Sequence, residues 1–229
     1  MATRNGVVKK SRLSDFSNPR KAGIIAVDLD DGDILVGAAI TGGNQDVMLF
    51  SDAGKAVRFD ENDVRPMGRT ARGVKGMNLG EGHKVIAMLV APSESEEKLL
   101  EEAKALPSVL TATENGYGKR TSLVEYTRHG RGTKGMIAIQ TSDRNGKLVA
   151  ASLVSESDQI MLITTGGILV RTRVSEIREM GRSTQGVTLI SVDSGTVLSG
   201  LQRIAEGDED DGDDDDDIAT DDSVDKVSD

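Results

Sequence analysis

An internal repeat constrains this chain more than any other feature. Four segments align: Thr3-Arg-Asn-Gly6, Ser51-Asp-Ala-Gly54, Thr113-Glu-Asn-Gly116 and Thr164-Thr-Gly-Gly167. A hydroxyl stands three residues before each closing glycine. Four residues after it comes a base, Lys10, Arg58, Arg120 or Arg171. Nine after it comes an acid, Asp15, Asp63, Glu125 or Glu176, and ten after it an apolar residue, Phe16, Val64, Tyr126 or Ile177. A second glycine with an apolar follower completes each unit at Gly23-Ile24, Gly76-Met77, Gly135-Met136 and Gly186-Val187. The first glycine recurs after 48, 62 and 51 residues. A period near 50 built of short strands is the signature of propeller blades.

Each unit reads as four strands. Apolar runs such as Val47–Phe50 and Ile160–Ile163 stop at the hydroxyl–glycine turn, and Asn-Gly at 5–6 and 115–116 is a strong hairpin signal. A third strand is expected after the second glycine, as in 23–29, and a fourth at 34–40 or 148–154. One blade cannot bury its own faces, so four must pack on each other. The predicted fold is all-β and propeller-like, with blades at about 1–46, 47–108, 109–158 and 159–205. Between the second and third lies 93–107, where Ser93 and Glu96 suit a capping box and Pro107 a stop; a short surface helix is expected there.

Charge divides the chain. From Glu206 to Asp229 there are 14 acids and one base, leaving 27 bases and 24 acids before them. The tail, with its unbroken run Asp213–Asp217, has almost nothing to bury and is expected to be disordered. The body is mildly basic despite the overall net charge of −10. Without cysteine there is no disulfide framework or cysteine nucleophile. Two histidines are too few for a His-rich metal centre, and no apolar run suits a membrane span, so the chain reads as soluble and cytoplasmic. Aromatics at 2% exclude base stacking as a main binding mode.

No catalytic motif stands out, and no metal site. Asp30-Asp31-Gly32-Asp33 resembles part of a calcium loop but lacks the closing Glu, so a strand-to-strand turn is expected. Tyr126 sits in the apolar slot and reads as core. The loops between second and third strands carry the functional signal. They are 18–22 with Arg20 and Lys21; 69–75 with Arg69, Arg72 and Lys75; 128–134 with Arg128, Arg131 and Lys134; and 178–182 with Arg178 and Arg182. Bases spaced by glycine and small residues suit a phosphate backbone. If the units radiate from one axis, these loops share one rim and form a curved basic stripe, fit for a bent duplex read by charge and deformability. The plainer reading is solvated loop tips. Lys10, Arg58, Lys119, Arg120 and Arg171 on the strands are balanced between phosphate contact and ion pairs within a blade, such as Arg58 with Asp63 or Arg120 with Glu125.

Asn115-Gly-Tyr-Gly-Lys-Arg-Thr121, Arg171-Thr-Arg-Val-Ser-Glu-Ile177, Val47-Met-Leu-Phe50 and Gly200-Leu-Gln-Arg-Ile204 resemble the C-terminal domain of DNA gyrase A, over nearly all of 1–205. The resemblance implies a β-pinwheel with a basic perimeter that wraps duplex DNA. It implies service to ATP-dependent negative supercoiling by a type II topoisomerase, in which the rest of gyrase A and its partner gyrase B form a heterotetramer in the bacterial cytoplasm at the nucleoid. Family pinwheels usually have six blades, whereas four repeats stand here, so the resemblance implies a fragment. The family's Gln-Arg-Arg-Gly-Gly-Lys-Gly box is absent, and 128–135 is only a loose relative of it. The domain with the catalytic tyrosine is absent too, so no enzymatic activity of its own is expected; ATP and magnesium belong to the rest of the holoenzyme, and no cofactor is expected here. The alternatives are the equivalent C-terminal domain of topoisomerase IV, and a propeller scaffold for protein partners with an acidic docking tail.

Overall fold

The four units fold as four antiparallel sheets in a computed structural model that describes residues 1–204. The first unit supplies β1 (Ala2–Thr3), β2 (Val7–Val8) and β3 (Leu35–Gly37). The second supplies β4 (Asp46–Ser51), β5 (Lys55–Asp60), β6 (Val74–Lys75) and β7 (Val85–Ala91). After helix α1 (Glu94–Glu102), the third gives β8 (Ser108–Thr113), β9 (Tyr117–Ser122), β10 (Met136–Ile137) and β11 (Leu148–Val154). The fourth gives β12 (Gln159–Thr164), β13 (Leu169–Arg173), β14 (Val187–Thr188) and β15 (Leu198–Ile204). The acidic tail expected at 206–229 lies outside the described residues.

The hairpins form where the hydroxyl–glycine turns place them. Gly54 N–H donates to the Ser51 carbonyl at 2.9 Å, and Gly116 N–H to that of Thr113 at 2.9 Å. Each second strand then enters a 3-10 turn holding the repeated acid: Leu13–Phe16, Glu61–Asp63, Leu123–Glu125 and Val174–Glu176. The helix is capped as expected, with Ser93 Oγ accepting from Glu96 N–H and the Glu96 carboxylate accepting from Ser93 N–H.

The third strands depart from expectation. They do not complete their own unit's sheet but cross to the outer edge of the preceding one, giving orders β3-β1-β2-β6, β7-β4-β5-β10 and β11-β8-β9-β14. Each of these three blades is therefore built from two units. Among the described residues the last sheet, β15-β12-β13, has three strands rather than the expected four, and 23–29 of the first unit joins no sheet. The pivot of each crossing is a glycine at positive φ, where an added Cβ would strike a carbonyl of the strand it joins: Gly73 on Val8, Gly135 on Ala56, Gly186 on Gly118. In the second unit the pivot is Gly73, three residues before the Gly76 that the sequence alignment selects. The backbone settles this, because the Gly6 carbonyl receives Gly76 and Met77, as the Gly54 carbonyl receives Ala138 and Ile139.

The core lies between blades. Blades one and two enclose Val8, Leu49, Phe59 and Met77; two and three enclose Phe50, Val109, Leu123 and Tyr126; three and four enclose Leu110, Ile160, Leu162 and Ile177. Tyr126 is core, 1% exposed and edge-on to Phe50 at 6.1 Å. Asp30–Asp33 is a tight turn, with Asp33 N–H donating to the Asp30 carbonyl and the Asp33 carboxylate accepting from Asn5 and Ile34. No helix among the described residues is long and apolar enough to cross a membrane.

Candidate nucleic-acid interface

Strand exchange dictates where the second, third and fourth loops run, since each must travel from its own blade to the one before. Each thereby lies against the end of the preceding loop or the segment that follows it. Arg69 Nη1 donates to the Ile25 carbonyl at 2.9 Å, and Asp28 N–H to that of Ala71 at 3.4 Å. Arg131 Nη1 donates to the Lys75 carbonyl at 3.0 Å, and Gly132 N–H to that of Gly76 at 2.6 Å. Arg182 Nη1 donates to the Ile137 carbonyl at 3.0 Å, and Gln140 N–H to that of Thr184 at 2.9 Å. Four loops distant in sequence thus form one hydrogen-bonded series.

The candidate bases divide by burial. Arg20, Lys21, Arg72, Lys75, Arg131, Lys134, Arg171 and Arg178 are exposed; Lys10, Arg69, Arg128 and Arg182 are half-buried; Arg58, Lys119 and Arg120 are buried. Arg131 donates to two carbonyls, of Asp63 and Lys75, and its charge meets no carboxylate among the described residues. Arg20, Lys21, Lys75, Lys134 and Arg178 make no ion pair among the described residues. Arg72 instead meets Asp28 at 3.1 Å and Asp30 at 2.8 Å, and these contacts, chiefly the hydrogen bond to Asp28, push its pKa up. Both partners are solvent-exposed, so salt screens the pairing. Arg171 Nε donates to Gln159 Oε1 at 2.7 Å.

The buried bases are clamps between blades. Arg58 Nε lies 2.7 Å from Asp46 Oδ2, its Nη1 donates to the Leu123 and Tyr126 carbonyls, and its Nη2 reaches Glu97 of α1 at 2.5 Å. Arg120 Nε donates to the Ile177 carbonyl at 2.7 Å, with Glu156 at 3.2 Å from Nη1. Lys10 Nζ meets Asn62 at 3.1 Å and Glu61 at 3.5 Å. In each of these three units the base therefore grips the 3-10 turn of the following unit. The within-blade pairs of Arg58 with Asp63 and Arg120 with Glu125 do not form, because each strand base faces the seam rather than its own turn.

Arg128 also turns inward. It grips Asp46 through two bonds, Nη2–Oδ1 at 2.6 Å and Nε–Oδ2 at 3.1 Å, and these push its pKa up. The fully buried Asp46 carboxylate thus binds two guanidinium groups. Lys119 Nζ donates to the Gly181 and Arg182 carbonyls, each at 2.6 Å, and burial brings its pKa down to about 8. Lys9 does the same for the second loop, donating to Ala26 at 2.7 Å and to Arg69; burial is again the main cause of its lowered pKa. Inspection of the repeat omits Asp46 and Lys9. A signal for Lys9 existed: three residues after the first glycine the units carry Lys9, Val57, Lys119 and Val170, and a lysine sharing a column with valine occupies an inward slot.

The comparisons agree with this architecture. A family model described as the DNA gyrase C-terminal domain, beta-propeller, matches residues 1–41, 45–92, 107–155 and 158–209. The DNA gyrase A protein of Pseudomonas aeruginosa is 51% identical over 214 residues, covering 92% of this chain and 22% of that protein. Its counterpart in Escherichia coli K12 is 50% identical over 212 residues, again 92% of this chain and 23% of the relative. The chain thus spans about a quarter of the length of the curated relatives it matches. Among solved structures, a DNA gyrase A C-terminal domain superimposes with a TM-score of 0.75 at 29% identity, covering 89% of this chain and 64% of the other. The C-terminal domain of a DNA topoisomerase IV gives 0.79 at 26% identity, covering 89% and 60%. With its four matched segments and its propeller-like stack of exchanged blades, the chain belongs to the DNA gyrase C-terminal domain family.

Proposed function

We propose that the chain binds duplex DNA along the loop series, with little sequence preference, and bends it around the rim. The observation that carries this reading is the run of exposed bases Lys75, Arg131 and Lys134 on adjoining loops, continued by Arg20 and Lys21 at one end and Arg178 at the other. Charges aligned along adjoining loops stabilise a phosphate backbone that runs beside them, and the scarcity of aromatic side chains leaves base identity unread. In the holoenzyme this binding would serve ATP-dependent negative supercoiling by a type II topoisomerase in which gyrase A works with gyrase B. The chain alone supplies the DNA-holding surface and none of the chemistry. Its site in the cell would be the bacterial cytoplasm, at the nucleoid.

Fluorescence anisotropy with two duplexes of equal length and unrelated sequence tests the reading. Similar affinities are expected, both weakening steeply with salt. A preference on the order of 10³ for one sequence, the scale of specific readout, would replace it with base recognition.

A further inference from the structure

The three loops that cross between blades open alike. Six residues before the pivots Gly73, Gly135 and Gly186, a backbone N–H donates to the carbonyl of the preceding unit's strand base: Met67 to Lys10, His129 to Arg58 and Met180 to Arg120, each at 2.8 Å. Two residues further on, Arg69, Arg131 and Arg182 each donate to a carbonyl of the preceding unit, so the three positions are equivalent in space as well as in sequence. The bond uses main chain only and asks little of the side chain. Met67 and Met180 are half-buried, and Met67 packs on the core between blades one and two. The third position instead holds a histidine, and it is exposed. Packing does not explain an imidazole where the fold elsewhere uses a thioether.

His129 lines a cleft of about 430 Å³ between β5 and the third loop, together with Val57, Arg58, Gly130, Thr133 and Lys134. Neither ring nitrogen of His129 has a partner among the described residues, and neither does Lys134 Nζ. The other histidine is engaged: His83 Nδ1 lies 2.9 Å from the buried Asp52 carboxylate. The charged groups on the elements packed about His129 are Lys55, Arg58 and Asp60 on β5, Asp63 in the turn after it, Lys75 at the end of the second loop, Glu94 at the start of α1, and Arg128, Arg131 and Lys134 on its own loop. Arg58 turns to Asp46 and Glu97, and Arg128 pairs with Asp46 and, at 3.3 Å, with Asp60. That leaves Lys55, Lys75, Arg131 and Lys134 against Asp63 and Glu94, a positive balance that suits an anion.

We propose that His129 is a proton-dependent phosphate contact: beside Lys134, in the cleft they share, its protonated ring holds one phosphate of the duplex. The contact rests on the duplex binding proposed above and gives that binding a pH dependence. A neutral imidazole has one N–H donor, whereas the protonated ring has two and a charge. Imidazole makes that change roughly between pH 5 and 8, where exposed lysine and arginine stay charged. A phosphate favours the charged ring and the charged ring favours the phosphate, so proton and duplex bind together. The contribution is present at acid pH and lost as pH rises.

His129→Met installs the residue that the equivalent positions carry, so the variant keeps the fold, and His129→Lys makes the charge permanent. Fluorescence anisotropy of a duplex against salt, at pH 5.5 and 7.5, reads the unmodified chain and each variant. The increment is taken relative to His129→Met, so that Lys119 and the terminal amine, whose pKa values are lowered by burial, cancel. On that scale the slope of log K against log salt in the unmodified chain should be steeper at pH 5.5 by about 0.9, the value of one neutralised phosphate. His129→Lys should show the steeper slope at both pH values, and His83→Asn should keep the increment. Equal pH dependence in the unmodified chain and His129→Met overturns the contact. So does loss of the increment in His83→Asn, or a slope in His129→Lys that flattens at pH 7.5 as the unmodified one does. Salt-dependent binding missing from every protein at both pH values would overturn duplex binding itself, whereas binding without a His129-dependent increment overturns this contact alone.

Discussion

Arg58→Ala separates the structural from the DNA-facing use of a base in this fold. Arg58 is 2% exposed and ties together three parts of the chain: Asp46 of its own blade, the Leu123–Tyr126 turn of the next, and Glu97 of α1. Its removal leaves Asp46, wholly buried, with Arg128 alone, and takes a donor from the Tyr126 carbonyl. Breaking a buried ion pair by removing one partner costs about 3–5 kcal/mol. Arg131→Ala removes two hydrogen bonds from an exposed side chain to carbonyls that water can reach, at roughly 1 kcal/mol or less. In a body of this size the first loss lowers Tm by about 2–4 °C per kcal/mol. Urea unfolding followed by circular dichroism reads both variants, and anisotropy on the folded protein reads the salt dependence of DNA binding. Arg58→Ala should unfold at much lower urea while keeping its salt slope, and Arg131→Ala should do the opposite. A stable Arg58→Ala whose salt slope falls by about 0.9, the value of one phosphate contact, would refute the clamp and return Arg58 to the binding surface.

Three further outcomes are expected. Lys119 loses its proton near pH 8 when folded, against 10.5 for the ordinary side chain, so between these values the unfolded chain binds the extra proton and the stability contributed by this group rises with pH; the stability of the unmodified chain relative to Lys119→Met, by urea unfolding at pH 7.5 and 9.5, should rise with pH, and a constant difference would contradict the shift. Truncation after residue 205 should tighten duplex binding at low salt and lose that advantage as salt rises, because an acidic tail tethered to the body competes at an effective concentration on the order of millimolar; equal affinities at low salt would leave the tail only a solubility role. Incubation with plasmid and ATP should yield no covalent protein–DNA adduct, and an adduct detected after denaturation would place a nucleophile in the chain.

The repeat made the hairpins legible because a turn is a local event: the hydroxyl, the glycine and the flanking apolar run all lie within a few residues of one another. Strand exchange was not legible. The residues of β6, β10 and β14 are two-residue strands, and their pattern says that they pair without saying with which sheet. Alignment on glycine also erred in the second unit, where Gly73 and Gly76 both fit by type and only the approach of Gly73 to the Val8 carbonyl selects the pivot. In the candidate site, the exposed bases Lys75, Arg131 and Lys134 look in sequence like Arg58, Arg120 and Arg128. What separates them is the buried partner each inward base finds, and Asp46, the chief partner, has Ser108 and Gln159 as its equivalents eight residues before the other hairpin glycines.

Lys75, Arg131 and Lys134 replaced together by Ala give the most direct measurement of the central claim, read as the slope of log K against log salt for a duplex long enough to follow the rim. Every phosphate that is no longer neutralised reduces the slope by about 0.9, so the triple variant should be shallower by roughly 2.7 with its urea midpoint little changed. The same titration on Arg128→Lys, at the inward-turned base, should keep the full slope. An unchanged slope for the triple variant would contradict a DNA track along the loop series.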